Sequence, residues 1–158
     1  MPSNIRAIAI TISDTRNDSN DVSGDILVEC LKEIGAAIIE KIIVSDDFDN
    51  LVSTLKKHSE TANLIITTGG TGFAPRDNTP EATLKVIEKE ARGLSEAIRA
   101  ESSKKTPRAM LSRGVCGIRG NCLIINLPGS PKGVSECFEV IKAILPHAVD
   151  QISGLTKH

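Results

Sequence analysis

Aromatic side chains are nearly absent from this 158-residue chain, which contains three phenylalanines and neither tyrosine nor tryptophan. Proteins that bind single-stranded nucleic acids stack bases on aromatic rings, so this composition argues against nucleic-acid binding. The formal net charge is only -1, from 19 Lys and Arg against 20 Asp and Glu. A chain without a basic excess lacks the electrostatic attraction that nucleic acids and membrane surfaces require. We therefore expect neither nucleic acid nor a membrane among its partners.

Long hydrophobic runs are also lacking. No segment reaches the length of a transmembrane helix, and the N-terminus has no basic region followed by an apolar stretch and a cleavage site. The four cysteines form neither a C-x-x-C motif nor a zinc-ligand spacing, so we expect reduced cysteines that pack as small apolar side chains. These absences together predict a cytoplasmic protein.

The first half of the chain alternates short apolar strands with helical patterns. Residues 5–12, 36–44 and 63–68 are predicted strands. Helices are predicted over 23–34 and, after a turn and N-cap at 45–47, through Leu51 and Leu55 to about residue 58. Strands that are apolar on both faces and separated by helices indicate a parallel sheet covered on both sides. The length is that of a single domain, which we assign to residues 1–158.

The second half predicts a change in strand direction. A helix is expected from Thr79, as its N-cap, to about residue 91, and another over 94–102. Residues 115–118 and 122–127 flank a short polar turn and predict a hairpin, which makes the sheet mixed. A last helical pattern runs from residue 131 to 145, with further turns to 152. The fold class is therefore α/β, with a mostly parallel mixed sheet.

A glycine cluster follows the third predicted strand: Gly69, Gly70, Thr71 and Gly72. In open α/β sheets, ligands bind beyond the carboxyl ends of the strands, so a site is expected here. Glycines let the backbone approach a ligand closely and direct its N–H groups at an anion. The cluster is neither a G-x-G-x-x-G motif nor a P-loop, and a tight turn explains it equally well.

Asp77 changes this balance because it lies five residues after the last glycine. A carboxylate beside a phosphate-binding loop can hold Mg²⁺, which bridges phosphate oxygens. Helix capping is the alternative use of Asp77. The neighbouring Arg76 either neutralises phosphate or is a solvated surface charge.

Two further aspartates, Asp14 and Asp46, each follow a predicted strand. Parallel strands would place both at the same sheet edge as Asp77, where three carboxylates could form a metal and substrate site. Taken singly, Asp14 and Asp46 suit a turn or a cap at least as well. Asp47 directly follows Asp46, which leaves two candidates for the second carboxylate.

A second special loop follows the last strand and reads Pro128, Gly129, Ser130, Pro131, Lys132. Its two prolines make it rigid, and a rigid turn is one explanation. Lys132, however, opposes the helix dipole at a helix start, so an anionic ligand explains it better than local stability does. The pair Ser112 and Arg113, just before the hairpin, adds two more polar groups.

Three segments of the chain resemble the molybdopterin adenylyltransferases. They are TTGGTGFAPRDNTPEAT (67–83), AMLSRGVCGIRG (109–120) and LIINLPGSPKGVSEC (123–137). The family includes a bacterial enzyme and the corresponding domains of plant and animal molybdenum-cofactor proteins such as gephyrin. ISDTR (12–16) and DVSG (21–24) also fit, so the resemblance covers nearly the whole chain in order. The intact Arg-Asp-x-Thr-Pro-Glu run is similar to the adenylyltransferase rather than to the molybdenum-insertion enzyme of the same fold.

This resemblance implies a three-layer α/β/α sandwich with a mixed sheet, assembled as a homotrimer. It implies that molybdopterin and Mg-ATP give adenylyl-molybdopterin and pyrophosphate, and that the product passes to a molybdenum-insertion enzyme. The family's essential aspartate falls on Asp77. A second acidic residue falls on Asp46, in a turn where the family's proline is absent and Asp47 replaces a glutamate.

Our hypothesis for adenylyl transfer assigns roles to the site, without deciding which loop binds the pterin and which binds the nucleotide. Asp77 and Asp46 are expected to be catalytic and to hold Mg²⁺. Residues expected to bind substrate are Asp14, Gly69, Gly70, Thr71, Gly72, Arg76, Ser112, Arg113, Pro128, Gly129, Ser130 and Lys132. Two alternatives remain open: a pterin-binding carrier or scaffold without catalysis, and a nucleotide-binding α/β protein that acts on another phosphorylated substrate.

Overall fold

A six-stranded mixed sheet forms the centre of the computed structural model, which describes residues 4–155. The predicted domain of 1–158 also includes residues 1–3 and 156–158, which lie outside this range. The strands are β1 (Arg6–Ile12), β2 (Ala37–Val44), β3 (Leu64–Thr68), β4 (Lys89–Glu90), β5 (Cys116–Arg119) and β6 (Cys122–Leu127). Their order in the sheet is β2-β1-β3-β6-β5-β4. The first four strands in that order are parallel, whereas β5 and β4 are antiparallel to their neighbours.

Within the described part of the chain, six α-helices and a short 3₁₀ helix cover this sheet. The α-helices are α1 (Val22–Glu33), α2 (Phe48–His58), α3 (Thr79–Val86), α4 (Arg92–Ser103), α5 (Pro131–Ile141) and α6 (Leu145–Ile152). The 3₁₀ helix spans Pro107–Leu111. No helix among residues 4–155 is long and apolar enough to cross a membrane.

The two faces of the sheet carry separate apolar cores, because successive side chains of a strand point to opposite faces. In β1, Ala7 and Ala9 pack with residues of α1, α4, α5 and α6. Ile8 and Ile10 face the other way and pack with residues of α2 and α3. The predicted three-layer α/β/α sandwich with a mixed sheet is therefore confirmed.

Three of the four cysteines are buried and the fourth, Cys30, is half-buried; all four are free thiols. Burial raises the pKa of both Cys116 and Cys122 to about 12, so these thiols stay protonated near neutral pH. The prediction that the cysteines pack as small apolar side chains is confirmed.

The predicted helix over 79–91 is wrong at its C-terminal end. The helix ends at Val86, and Lys89–Glu90 instead form β4, which pairs with β5. Backbone pairing with β5 decides this structure, and Gly117 of β5 makes room for it, because a Cβ there would lie 2.5 Å from the Ile87 Cδ1. The absence of a side chain at Gly117 lets this segment lie flat against the sheet edge.

The last helical pattern, predicted over 131–145 with further turns to 152, is wrong in where it breaks, because α5 ends at Ile141 and α6 begins at Leu145. Pro146 has no N–H to donate and stands in the first turn of α6, where a proline costs least. The proline therefore begins a new helix rather than lying inside a continuous one.

Candidate active site

The glycine loop after β3 is shaped by close backbone packing. Gly69 and Gly70 have φ angles of 103° and 67°, which residues other than glycine rarely adopt. A Cβ on Gly69 would lie 2.5 Å from the carbonyl oxygen of Ile12, and one on Gly70 would lie 2.3 Å from the Thr79 Oγ1. Both glycines are therefore required by the turn itself, whether or not the loop also binds an anion.

Thr79 holds this turn closed and does not cap α3 as predicted. Its Oγ1 donates to the Gly69 carbonyl at 3.0 Å, and its backbone N–H donates to the Gly70 carbonyl at 3.1 Å. Asn78 occupies the N-cap position, without a side-chain hydrogen bond to the helix. The buried Thr79 thus fixes the loop against the start of α3.

The three predicted carboxylates meet at this edge of the sheet. The Asp14 Oδ1 accepts the backbone N–H of Asp46 at 3.0 Å, and the Asp46 Oδ1 accepts the backbone N–H of Asn78 at 3.1 Å. The Asp77 Oδ2 accepts the N–H of Ala74 at 3.0 Å. The three aspartates lie together because each follows the end of a strand or its loop, as predicted. We call the region that Asp14, Asp46 and Asp77 line the aspartate compartment.

Asp46 rather than Asp47 is the second carboxylate of the compartment. Asp47 caps α2 by accepting the N–H of Asn50 at 3.0 Å. Asp46 turns inward, where only 6% of its surface is exposed. Its Oδ2 lies beside Gly70 and makes no hydrogen bond within residues 4–155.

The charge of Asp46 is compensated only in part, by the backbone N–H of Asn78 and by the positive charge of Arg76. Burial raises the pKa of this carboxyl, and the nearby charges of Asp77 and Asp14 raise it further. Asp14 is different, because hydrogen bonds from Arg76 and from the Asp46 N–H lower its pKa. Arg76 donates from two nitrogens to Asp14, at 2.8 and 2.9 Å, and its charge acts more weakly on Asp46.

Asp46 and Asp77 fit a shared cation site of the kind Mg²⁺ forms with phosphorylated ligands. Across residues 4–155, no three His, Cys, Asp or Glu side chains are grouped to hold a metal by themselves. Mg²⁺ commonly takes only one or two carboxylates and completes its shell with water and phosphate oxygens. A buried carboxylate oxygen without a donor, next to a second carboxylate, suits that arrangement.

Arg113 lies against the glycine loop. Its Nε donates to the Gly72 carbonyl at 2.8 Å, and its Nη2 donates to the Asp77 carbonyl at 2.9 Å. Its Nη1 forms an ion pair with Glu81. The guanidinium predicted to bind substrate is therefore engaged with the protein.

A cavity of about 330 Å³ opens on the other side of the loop, between α4, the 3₁₀ helix and the start of α5. Four cationic residues line it, namely Arg99, Lys105, Arg108 and Lys132, against the single acidic Glu136. Of the residues predicted to bind substrate, it includes Ser112, Pro128, Ser130 and Lys132. A cavity with this excess of positive charge is suited to an anion.

The cavity and the aspartate compartment adjoin through their loops. A Cβ on Gly129 would lie 3.3 Å from the Gly69 Cα, so the loops after β3 and β6 are in direct contact. The Thr68 hydroxyl donates to the Pro128 carbonyl at 2.7 Å, and the Ser23 hydroxyl donates to the Gly129 carbonyl at 2.7 Å. Ligands held on the two sides would therefore have neighbouring ends.

Ser130 also has a local structural role, since it caps α5 by accepting the N–H of Gly133 at 3.0 Å. Lys132 is largely free of the protein: its side chain is 85% exposed and its Nζ is 3.9 Å from Glu136. An exposed lysine at the cavity can reach an anion at little cost in lost contacts.

Sequence reasoning missed Arg99, Lys105 and Arg108. The Arg99 Nη1 donates to the Gly114 carbonyl at 2.8 Å, which fixes the guanidinium in the cavity wall. A signal was present in α4, where Ser95, Arg99 and Ser102 recur at helical spacing and so share one face. That polar stripe marks the side of α4 that lines the cavity.

Comparison with known proteins shows which family has these features. The family model described as "Probable molybdopterin binding domain" matches residues 8–147. The chain is 51% identical over 148 residues to the molybdenum cofactor synthesis protein cinnamon of Drosophila melanogaster, covering 90% of this chain and 25% of that protein. The chain thus spans only about a quarter of that relative's length.

Two relatives of similar size also match. A protein of Helicobacter pylori (strain J99) named molybdopterin adenylyltransferase is 44% identical over 138 residues, covering 85% of this chain and 78% of that protein. A solved structure, the molybdopterin biosynthesis Mog protein from Mycobacterium ulcerans, aligns with a TM-score of 0.88 and 42% identity. That alignment covers 96% of this chain and 99% of the other.

Proposed function

Because this chain belongs to the family of probable molybdopterin-binding domains, we propose that it is a molybdopterin adenylyltransferase of molybdenum cofactor biosynthesis. In this reaction the phosphate of molybdopterin attacks the α-phosphorus of ATP. The bond from the α-phosphorus to the bridging oxygen of the β-phosphate breaks, and pyrophosphate leaves. The products are adenylyl-molybdopterin and pyrophosphate.

One observation carries this proposal: an anionic compartment and a cationic cavity meet where Gly129 contacts Gly69. A transfer between two phosphorylated substrates needs two adjoining sites for phosphate, of which one can be cationic itself and the other can bind phosphate through a metal ion. Holding both reactants in line converts a bimolecular reaction into an effectively unimolecular one, which accounts for much of the acceleration in such enzymes.

The aspartate compartment is the side we assign to Mg-ATP. Asp46 and Asp77 would hold the Mg²⁺, which neutralises charge on the phosphate oxygens during transfer. Asp46 contributes a buried oxygen without a donor, and Asp77 is fixed by the N–H of Ala74. The narrow backbone at Gly70 and Gly72 lets phosphate oxygens come close to these carboxylates.

The cationic cavity is the side we assign to molybdopterin. Its volume of about 330 Å³ lies within the range of small-ligand sites. Arg99 and Arg108 suit a phosphate, which arginine recognises with paired donors. Ser112, Ser130 and Lys132 are the predicted residues that remain available for polar contacts with the ligand.

Pyrophosphate release from molybdopterin and Mg-ATP is the test of this function. We expect purified protein to release pyrophosphate and to form adenylyl-molybdopterin, identified by its mass. Asp77→Asn and Asp46→Asn should abolish release while molybdopterin binding is retained. Asp47→Asn is the matched control, because asparagine caps a helix as well as aspartate does and Asp47 lies outside the compartment.

Binding of molybdopterin without pyrophosphate release would refute the enzyme and support a carrier or scaffold. No binding of molybdopterin, with transfer to another phosphorylated compound, would support a different substrate. Wild-type activity in Asp77→Asn would refute the role given to that residue.

The assembly and the downstream partner belong to the same proposal. The family resemblance supports a homotrimer located in the cytoplasm, which hands its product to a molybdenum-insertion enzyme. Light scattering after size exclusion measures the oligomer directly, and a monomer at micromolar concentration would contradict it. Co-incubation with an insertion enzyme and molybdate should convert the adenylylated product, and its persistence would contradict the handover.

A further inference from the structure

Arg113 stands between the two compartments. Its chain neighbours Ser112 and Gly114 both line the cationic cavity. Its own N–H donates to the Thr71 carbonyl at 2.8 Å, and its guanidinium reaches the carbonyls of Gly72 and Asp77. One residue therefore ties the cavity wall to the aspartate loop.

The contacts of Arg113 leave it poorly placed to bind substrate. Nε, Nη1 and Nη2 each have a protein partner, and Arg113 is not among the residues that line the cavity. Its ion pair with Glu81 fixes the guanidinium to the first turn of α3. The positive charge of Arg113 is thus paired with a carboxylate of the protein itself.

We infer that Arg113 is a positioning residue for the proposed adenylyl transfer, which holds Asp77 at a fixed distance from the cavity and does not bind molybdopterin. The inference rests on the proposed function and revises the substrate-binding role that the sequence analysis predicted for Arg113. The inference is based on residues 73–76, which are exposed and form neither helix nor strand. Contacts at the two ends of this segment therefore set where Asp77 lies. Gly72 and Asp77 flank this segment, and Arg113 grips the carbonyls of both.

Arginine is specifically suited to this role. Its planar fork presents several donors at fixed angles, so one side chain can hold two carbonyls and a carboxylate together. Lysine carries the same charge on a single nitrogen and cannot span all three partners. Since a misplacement of about 1 Å can slow an enzyme about a hundredfold, loss of the fork should act on turnover rather than on binding of the pterin.

The test compares Arg113→Lys with Arg119→Lys, a matched control whose arginine also donates to a backbone carbonyl, that of Val86, away from the site. We expect Arg113→Lys to lower kcat at least about tenfold while the KM for molybdopterin stays within about twofold. The control should leave both values unchanged. A rise in the molybdopterin KM of about tenfold or more in Arg113→Lys would instead show that Arg113 binds substrate, and would overturn the inference.

Calorimetry gives a readout that does not depend on turnover. The probe is α,β-methylene-ATP, which cannot release pyrophosphate, titrated with and without Mg²⁺. We expect Mg²⁺ to strengthen its binding to the wild type and to strengthen it at least about threefold less in Arg113→Lys, because Asp77 is no longer held. An equal Mg²⁺ effect in the two proteins would overturn the inference.

Glu81→Gln keeps the inference testable if Arg113→Lys does not fold, since it removes the ion pair and leaves both carbonyl contacts possible. A kcat lowered about two- to fivefold at unchanged molybdopterin KM is expected, and a wild-type kcat would contradict the positioning role. Failure of the proposed function is distinguishable, because wild-type protein would then release no pyrophosphate. Failure of the inference alone leaves wild-type transfer intact.

Discussion

Substituting Gly70 by alanine should destabilise the protein more than the same change at Gly120. Both residues have a positive φ, 67° and 56°. An added Cβ at Gly120 meets no atom within 4 Å, so that variant reports backbone strain alone. At Gly70 the same Cβ would lie 2.3 Å from the Thr79 Oγ1 and 2.8 Å from the Asp46 Oδ2.

The expected difference follows from these contacts. A left-handed conformation costs an alanine roughly 1–2 kcal/mol, which is the whole effect expected at Gly120. At Gly70 the Thr79 hydroxyl must also move, and its hydrogen bond to the Gly69 carbonyl is lost in a buried position. A buried polar group left without its partner costs about 1–3 kcal/mol more.

Urea denaturation of the two variants measures this difference. With a slope of about 2 kcal/mol per molar urea, Gly70→Ala should lower the midpoint by roughly 0.5–1.5 M more than Gly120→Ala does. Pyrophosphate release should fall in Gly70→Ala, because Asp46 is displaced, and persist in Gly120→Ala. Equal midpoints for the two variants would refute the claim that close packing at Gly70 shapes the loop.

Three further predictions concern single side chains. Burial alone would raise the pKa of Asp21, but hydrogen bonds from Thr11 and Gly24 and the ion pair with Lys41 outweigh it and lower the pKa from 3.8. The charge of Asp21 therefore stabilises the fold above pH 3.8, and this stabilisation is lost as the pH falls. Asp21→Asn should cost about 3 kcal/mol at pH 7 and flatten the pH dependence of urea midpoints below pH 5. Burial raises the pKa of Asp46, so the charged form of this carboxyl costs stability as the pH rises above 3.8. Asp46→Asn should therefore raise Tm at pH 7 while it abolishes pyrophosphate release. A lower Tm would contradict this. Gly93→Ala, in an exposed helical position with open space around the Cβ, should raise stability by about 0.5 kcal/mol in urea unfolding.

Regular strands and helices could be predicted because local pattern and burial agree in them. β1 and β3 read as buried strands, and both lie in the middle of the sheet with helices on each face. The helix predicted for residues 87–90 was wrong because their sequence favours a helix, whereas backbone pairing with β5 decides their structure. Glu88 donates to the Ile118 carbonyl and Ala91 to the Cys116 carbonyl, both at 2.7 Å, and these partners are distant in sequence.

The site divides along the same line. The aspartates could be placed together from sequence because each follows a strand or its loop, and strand ends share an edge. The cationic cavity could not, because it depends on how α4 and the 3₁₀ helix pack against the start of α5. The engagement of Arg113 was likewise hidden, since its partners Gly72, Asp77 and Glu81 lie 41, 36 and 32 residues away.

The opposite charges of the two compartments give their proposed ligands different requirements for a metal ion. Asp14, Asp46 and Asp77 give one side a negative field, and the nearby Arg76 is already paired with Asp14. A triphosphate without a divalent cation is therefore repelled there, whereas a phosphate in the cavity meets Arg99 and Arg108 without any metal. Under the proposed function, the site assigned to ATP and the leaving pyrophosphate would depend on Mg²⁺, whereas the site assigned to the attacking phosphate would not. Because a bound cation would compensate the buried charge of Asp46, the proposal expects the carboxylate that costs stability in the free protein to gain most when Mg-ATP binds.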